Sequence, residues 1–186
     1  AGFLVPGDST DASTASRFTP GSRLRFTGGA PTQPGNIVFW VNFPVLPTTD
    51  TTILAWNVND GGPTMRLSFG TYMDGGAVKF RTNSVVVTGE APYTVYAGVW
   101  YKITIQMPDV DGSMVEWNTN DNPNEDGTQG PFAVPGGSFV SLTVNGREDG
   151  SEQTTFDMFG LRIYDQFYSA NTPVDWEKLR FDTAQP

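Results

Sequence analysis

The stretch Phe139–Glu148 reads FVSLTVNGRE, and Phe156–Phe167 reads FDMFGLRIYDQF. In the first, Val140, Leu142 and Val144 alternate with Ser141 and Thr143, the two-residue period of a half-buried strand. Asn145-Gly146 follows at once, a pair that readily takes the positive backbone angles of a tight turn, so the strand is expected to turn back on itself as a hairpin. In the second, Phe159, Leu161 and Ile163 alternate with Gly160, Arg162 and Tyr164, which predicts another strand with one core face and one polar or amphipathic face.

Upstream, the same period recurs every ten to fifteen residues or so from Leu24 on. Met65, Leu67 and Phe69 alternate with Arg66 and Ser68, and Val78 and Phe80 alternate with Lys79 and Arg81. Val99, Tyr101, Ile103, Ile105 and Met107 predict a long core face, leaving Trp100, Lys102, Thr104 and Gln106 on the other side. Ile37 to Phe43 is apolar on both faces, as expected of a central strand covered on both sides or carrying an aromatic on its outer face. Helical periodicity is absent until Pro173 to Leu179, where Thr172 suits an N-cap, Pro173 the first helical position and Asp175 the positive end of the helix dipole. Trp176 and Leu179 there can share a face that anchors the turn on the sandwich. The pattern predicts an all-β fold, a two-sheet antiparallel sandwich with one short C-terminal helix.

The order and wording of these strands resemble laminin G-like domains of the concanavalin A-like lectin and glucanase superfamily. The resemblance rests on SRLRFTGG (22–29), NIVFWVNF (36–43), TILAW (52–56), VWYKITI (99–105), the strand ending in VNG and the final GLRIYDQFYSA, and it covers roughly Ser22 to Phe181. It implies a jelly-roll sandwich. These are packing motifs, so they say little of function; the superfamily includes lectins, polysaccharide hydrolases and lyases, adhesion modules and virion proteins.

At 186 residues the chain fits one domain able to bury a sizeable core, and 21 Gly with 14 Pro suit many short strands joined by turns. Residues 1–21 read as an N-terminal arm, and residues 22–186 as a single laminin G-like domain. Within the arm Phe3-Leu4-Val5 is an apolar cluster, expected to dock either on its own sandwich or on a neighbouring subunit. The chain opens on Ala1-Gly2, as it would after removal of an initiating Met or a leader, and neither a signal peptide nor a membrane-spanning stretch is legible.

There is no Cys and no His. Disulfides, thiol nucleophiles, a Ser-His-Asp triad and ordinary zinc or copper sites are thereby excluded, and acid–base work falls to carboxylates, Tyr, Lys and Arg. A net charge of −9 argues against nucleic acid, which is held by phosphate neutralisation. Seven of the 11 basic residues (Arg23, Arg25, Arg66, Lys79, Arg81, Lys102 and Arg162) fall in predicted strands. They read either as solvent-facing side chains that blunt sheet edges or as a positive face for an acidic glycan.

Candidate chemistry concentrates between Met107 and Phe132, where Asp109, Asp111, Asp121 and Asp126 sit among Asn and Gly residues. Closely spaced carboxylates and amide oxygens suit calcium, a hard cation that takes six to eight oxygens, although neither loop has EF-hand spacing. The calcium that laminin G-like relatives often hold at the sandwich rim points the same way. The superfamily's glucanases carry Glu-x-Asp-x-x-Glu; Glu116-Trp117-Asn118 departs from it, so no glycosidase is expected. A lyase using Tyr164 with Arg162 or Arg81 is a third reading. Trp100, Trp117 and Tyr164, with Arg162, are the candidate ligand-binding residues, because an aromatic ring offers a sugar an apolar face.

These readings converge on a non-enzymatic module working outside a cell or on a virion surface. Its expected partner is a glycan or polysaccharide. The alternative is a structural virion protein, a capsid decoration or tail fibre subunit that meets neighbouring subunits through its arm and forms a homo-oligomer. No nucleic acid and no membrane span are expected.

Overall fold

A computed structural model describes residues 2–4, 15–27, 36–59, 63–83, 88–90, 94–106, 115–119, 122–129 and 138–164. Among the described residues thirteen strands run in chain order: β1 Gly2–Leu4, β2 Ser16–Phe18, β3 Leu24–Phe26, β4 Asn36–Asn42, β5 Thr51–Asn59, β6 Pro63–Asp74, β7 Ala77–Asn83, β8 Thr88–Glu90, β9 Trp100–Gln106, β10 Val115–Thr119, β11 Asn122–Gln129, β12 Ser138–Val144 and β13 Phe156–Tyr164. They form two antiparallel sheets, ordered β1-β13-β4-β9-β10-β11, with β2 also on β13, and β3-β12-β5-β6-β7-β8. Among the described residues there is no helix; the helix expected over Pro173–Leu179 lies outside them.

The core lies between the sheets. From the first sheet come Ile37, Phe39, Val41, Tyr101, Ile103, Ile105, Phe156, Met158, Leu161 and Ile163; from the second come Leu54, Trp56, Phe69, Val78, Phe80, Leu142 and Val144. Phenylalanines stitch the two layers: Phe39 meets Phe69 edge-on with centroids 5.8 Å apart, and Phe80 meets Tyr101 likewise at 5.4 Å. Such pairs add about 1 kcal/mol each beyond the area they bury. As its two-sided apolar pattern predicts, β4 is central, between β13 and β9, and every residue from Asn36 to Asn42 is buried.

Three expectations are corrected. Phe159 does not join the core: its partner across the ladder is Trp40, and the register shifts between Phe159 and Arg162. Gly160 takes a φ of 64° within that shift, a bulge that inserts one residue, so Met158 and Leu161 both reach the core while Phe159 goes to the opposite face. Val99 precedes β9 and is exposed rather than buried.

The third correction concerns Asn145-Gly146, which turns with positive φ at both residues but makes no two-residue hairpin. The chain crosses there from β12 in one sheet to β13 in the other. Asn145 N–H and Gly146 N–H first extend the ladder by donating to the carbonyls of Ile53 and Thr52. A second turn over Arg147–Gly150 follows; Asp149 accepts hydrogen bonds from the Ser151 hydroxyl and N–H, which hold its carboxyl below the usual carboxylate range.

The arm adds strands to the same sandwich. Residues 2–4 pair with Arg162–Tyr164 and residues 16–18 with Phe156–Met158, so β1 and β2 take one side of β13 in succession.

Candidate functional site

On the face of the first sheet turned away from the core, the strand registers set out rows of facing residues. Trp100 lies opposite Asn42, Asn42 opposite Asp157, and Asp157 opposite Arg17. Their neighbours along each strand, Tyr101, Val41, Met158 and Phe18, belong to the core, which puts this row on the other face. It crosses β9, β4, β13 and β2, three inter-strand steps or about 14 Å. Arg17 closes it with a fork: its Nε and Nη2 donate to the two carboxylate oxygens of Asp157 at 2.7 and 2.9 Å, which raises the guanidinium pKa above its ordinary value.

The next row, Lys102, Trp40 and Phe159, is buried, Lys102 to 1% exposure. Among the described residues of this face, the two ends are more open. Trp100 is half-buried at one end; Arg162 and Tyr164 are half-buried at the other. Tyr164 pairs with Asn36, six residues along β4 from Asn42, so it stands about 20 Å from Trp100. The face therefore holds two of the three candidate aromatics, at opposite ends.

Beside Trp100 the chain builds a platform. Val95 is fully buried and its N–H donates to Val78 O at 2.7 Å; Tyr96 N–H donates to the Tyr101 hydroxyl at 2.8 Å; Gly98 N–H donates to Phe43 O at 2.9 Å. Gly98 has a φ of 75°, which suits glycine in the turn that leads into β9. These bonds tie the segment to both sheets and leave Tyr96 62% exposed, with Val99 at 41% and Val45, on the neighbouring β4–β5 connection, at 71%.

The remaining candidates are placed as follows. Trp117 lies on β10 in register with the core residue Ile105, whereas Glu116 and Asn118 pair with Gln106 and Thr104. Of the calcium candidates, Asp126 lies within β11, and Asp109, Asp111 and Asp121 lie outside the described residues. Among the described residues no group of three or more carboxylates is gathered as a metal would require. Arg81 is in the second sheet and Tyr164 in the first, so that lyase pairing is separated; Arg162 and Tyr164 share one strand and one face.

The strand cations whose side chains are described are engaged, as is Arg147 in the turn after β12. Arg25 pairs with Glu148, Lys79 with Asp74 at 2.6 Å, Arg81 with Asp50 at 2.9 Å, and Arg147 with Glu152 at 2.6 Å. Arg81 also lies over the Tyr72 ring, 5.4 Å from its centroid. Arg23 donates to the carbonyls of Arg147 and Glu148, and Lys102 and Arg162 have partners too. Each described basic side chain is thus occupied, which favours the edge-blunting role over an anion-binding face.

No protein-family model matches the chain, and no curated protein matches it. Solved structures do. The SAP-like pentraxin of Limulus polyphemus, a native heptamer, superposes with a TM-score of 0.61 at 14% identity, over 96% of this chain and 87% of that one. The fold is a two-sheet antiparallel jelly-roll sandwich. Domain 4 of AbnA, an extracellular GH43 arabinanase from Geobacillus stearothermophilus solved with arabinotriose, matches at 0.55 and 16% identity, over 89% and 75% of the two chains. Trypanosoma rangeli sialidase matches at 0.54 and 12% over 73% of this chain, which spans only 21% of the sialidase's length. Identities this low establish the fold alone. Among the described residues no helix is long and apolar enough to cross a membrane, which leaves β-barrel spans untouched.

Proposed function

We propose that this jelly-roll sandwich is a non-enzymatic glycan-binding module, laminin G-like in kind, that works outside a cell or on a particle surface. One observation carries the reading: a hydrogen-bonded segment holds Tyr96 exposed four residues before half-buried Trp100, and the strand row of Trp100 ends in the ion pair of Asp157 and Arg17. Rings offering an apolar face next to fixed donors and acceptors are what a sugar ring requires. The arabinanase domain solved with arabinotriose, which has the same fold, supports it.

Of the candidates named from sequence, Trp100 is thereby favoured over Trp117, Tyr164 and Arg162. On a broad array of polysaccharides, saturable binding to one class is expected. Trp100→Ala should weaken it at least about tenfold, and Tyr96→Ala in the same direction. Tyr164→Ala serves as the control about 20 Å away. Loss of binding in Tyr164→Ala with none in Trp100→Ala would move the site to the Arg162 end.

A second reading, a subunit of a larger assembly such as a virion surface, has its own observation. Val45, Tyr96 and Val99, with Met73 on the adjoining hairpin, form an exposed apolar set at one end of the sandwich. A defined oligomer in native mass measurement, lost in a Val45→Ser/Val99→Ser double variant, is the result it requires.

Calcium held by Asp109, Asp111, Asp121 and Asp126 is part of the proposal. Its test is thermal: saturating calcium should raise the melting temperature by about 5 °C or more over chelated protein. An unchanged melting temperature removes the metal.

A further inference from the structure

We infer that the glycan is an uncharged oligosaccharide lying across the strands, along the row from Trp100 to Arg17. This rests on the glycan-binding reading above and goes further, to the class and orientation of the ligand.

Charge is the first argument. A site for uronates or sulfated sugars needs a cation left without a carboxylate. Arg17 is 62% exposed, so it is accessible, yet both oxygens of Asp157 already take its fork. Arg25, Lys79, Arg81 and Arg147 are paired with Glu148, Asp74, Asp50 and Glu152, and Lys102 is buried. At this row an anionic sugar would have to displace the Asp157 carboxylate from Arg17, in a protein that already carries a net charge of −9. A neutral sugar meets no such opposition, because the pair itself is amphoteric. A sugar hydroxyl can donate to Asp157 and accept from Arg17 without breaking the fork, since a carboxylate has about four acceptor sites and a guanidinium five donors.

Shape is the second. Trp100, Asp157 and Arg17 stand in a line perpendicular to the strands that spans about 14 Å, with Asn42 between Trp100 and Asp157 buried to 7% exposure. That is longer than a single sugar ring. The sugar stacked at Trp100 and the hydroxyls bridged by Arg17 and Asp157 belong to different residues of one glycan, which passes over buried Asn42 between them. The buried row of Lys102, Trp40 and Phe159 bounds the line on one side, which keeps the ligand from running along the strands instead.

Titration calorimetry on the whole chain tests this with neutral xylo-, cello-, manno- and arabino-oligosaccharides of increasing length, set against polygalacturonate, alginate and heparin. Binding to a neutral series is expected, tightening at least about tenfold from monosaccharide to trisaccharide and nearly independent of added salt. Arg17→Gln, at an exposed position, should weaken binding of the trisaccharide about tenfold and leave the monosaccharide unchanged. Asp157→Asn, which frees the guanidinium, should bring measurable binding to polygalacturonate that salt abolishes. Salt-sensitive binding of an anionic glycan by the unmodified chain would overturn the inference while leaving a glycan-binding module; so would equal affinity for one sugar and three. Binding to nothing in either group would overturn the glycan reading itself, and the inference with it.

Discussion

Gly70→Ala is expected to lower the melting temperature by about 6 °C or more, the effect of roughly 3 kcal/mol in a domain of this size. Gly70 lies in the middle of β6 opposite Thr52, where β5 shifts register between Thr52 and Leu54. A methyl group there would come within 1.8 Å of Thr51 O, 2.8 Å of Thr51 C and 3.0 Å of Thr52 Cα. All three are backbone atoms, so relief requires the two strands to part, and the parting would break the hydrogen bond between the Thr51 and Thr71 hydroxyls alongside. The core residues Leu54 and Phe69, paired next in the ladder, would be pulled out of line. Gly75→Ala separates space from conformation. Gly75 sits in the β6–β7 turn with a φ of 57° and nothing within 4 Å of the added carbon, so only the left-handed backbone is penalised, about 1–2 kcal/mol. Thermal melts of the two variants should rank Gly70→Ala clearly below Gly75→Ala. The reverse order would mean that β5 and β6 do not approach as described.

The fold was legible because its strands are patterned on one face or both, and a period of two survives in the sequence wherever the ladder is regular. β9 shows this: Tyr101, Ile103 and Ile105 enter the core as their alternation requires. Legibility ends at irregularities. Gly160 marks a bulge, and the residue it inserts exchanges the faces of everything before it, so Phe159 is misassigned by simple alternation while Leu161 and Ile163 are not. Asn145-Gly146 has the backbone angles that its residues favour, but local preference does not decide which sheet the next strand joins.

The site was less legible for a related reason. Trp100 stands out because it lies off the core face of a clear strand. Tyr96 lies in a connection with no period, and only the hydrogen bonds to Val78, Tyr101 and Phe43 show that its segment is fixed. Arg17 and Asp157 are 140 positions apart, and their pairing depends on the arm returning to β13. A charge in an arm and a charge in a strand carry no sign of each other until the register is known.

Asn145 connects the stability of the sandwich to that pairing. Its side chain is fully buried and fully used: Nδ2 donates to Thr19 O at 2.9 Å and Ser22 O at 2.8 Å, and Oδ1 accepts from Thr154 N at 3.0 Å. The bonds reach both the turn that follows β2 and the approach to β13, the two strands that bring Arg17 to Asp157. Asn145→Ala would leave the buried Thr154 N–H without this acceptor, remove the donations to Thr19 O and Ser22 O, and force a φ of 67° on alanine, a combined cost of about 3 kcal/mol. Asn145→Gly removes the same bonds without the conformational strain, and should recover about 1 kcal/mol of that. Asn145→Asp keeps the shape and the bond from Thr154 but sets a carboxylate against two carbonyls, so it should be no better than alanine despite being nearly isosteric. Denaturant melts that rank glycine above alanine and aspartate would show that the side-chain hydrogen bonds and the backbone angle act as separate contributions. If aspartate instead matched the unmodified chain, the donation to Thr19 and Ser22 would not be holding the turn. The glycine variant, still folded, then carries the functional consequence: with the Thr19–Ser22 turn released, β2 loses its anchor at one end, and trisaccharide binding should weaken in the same direction as in Arg17→Gln although no sugar-facing side chain has been touched.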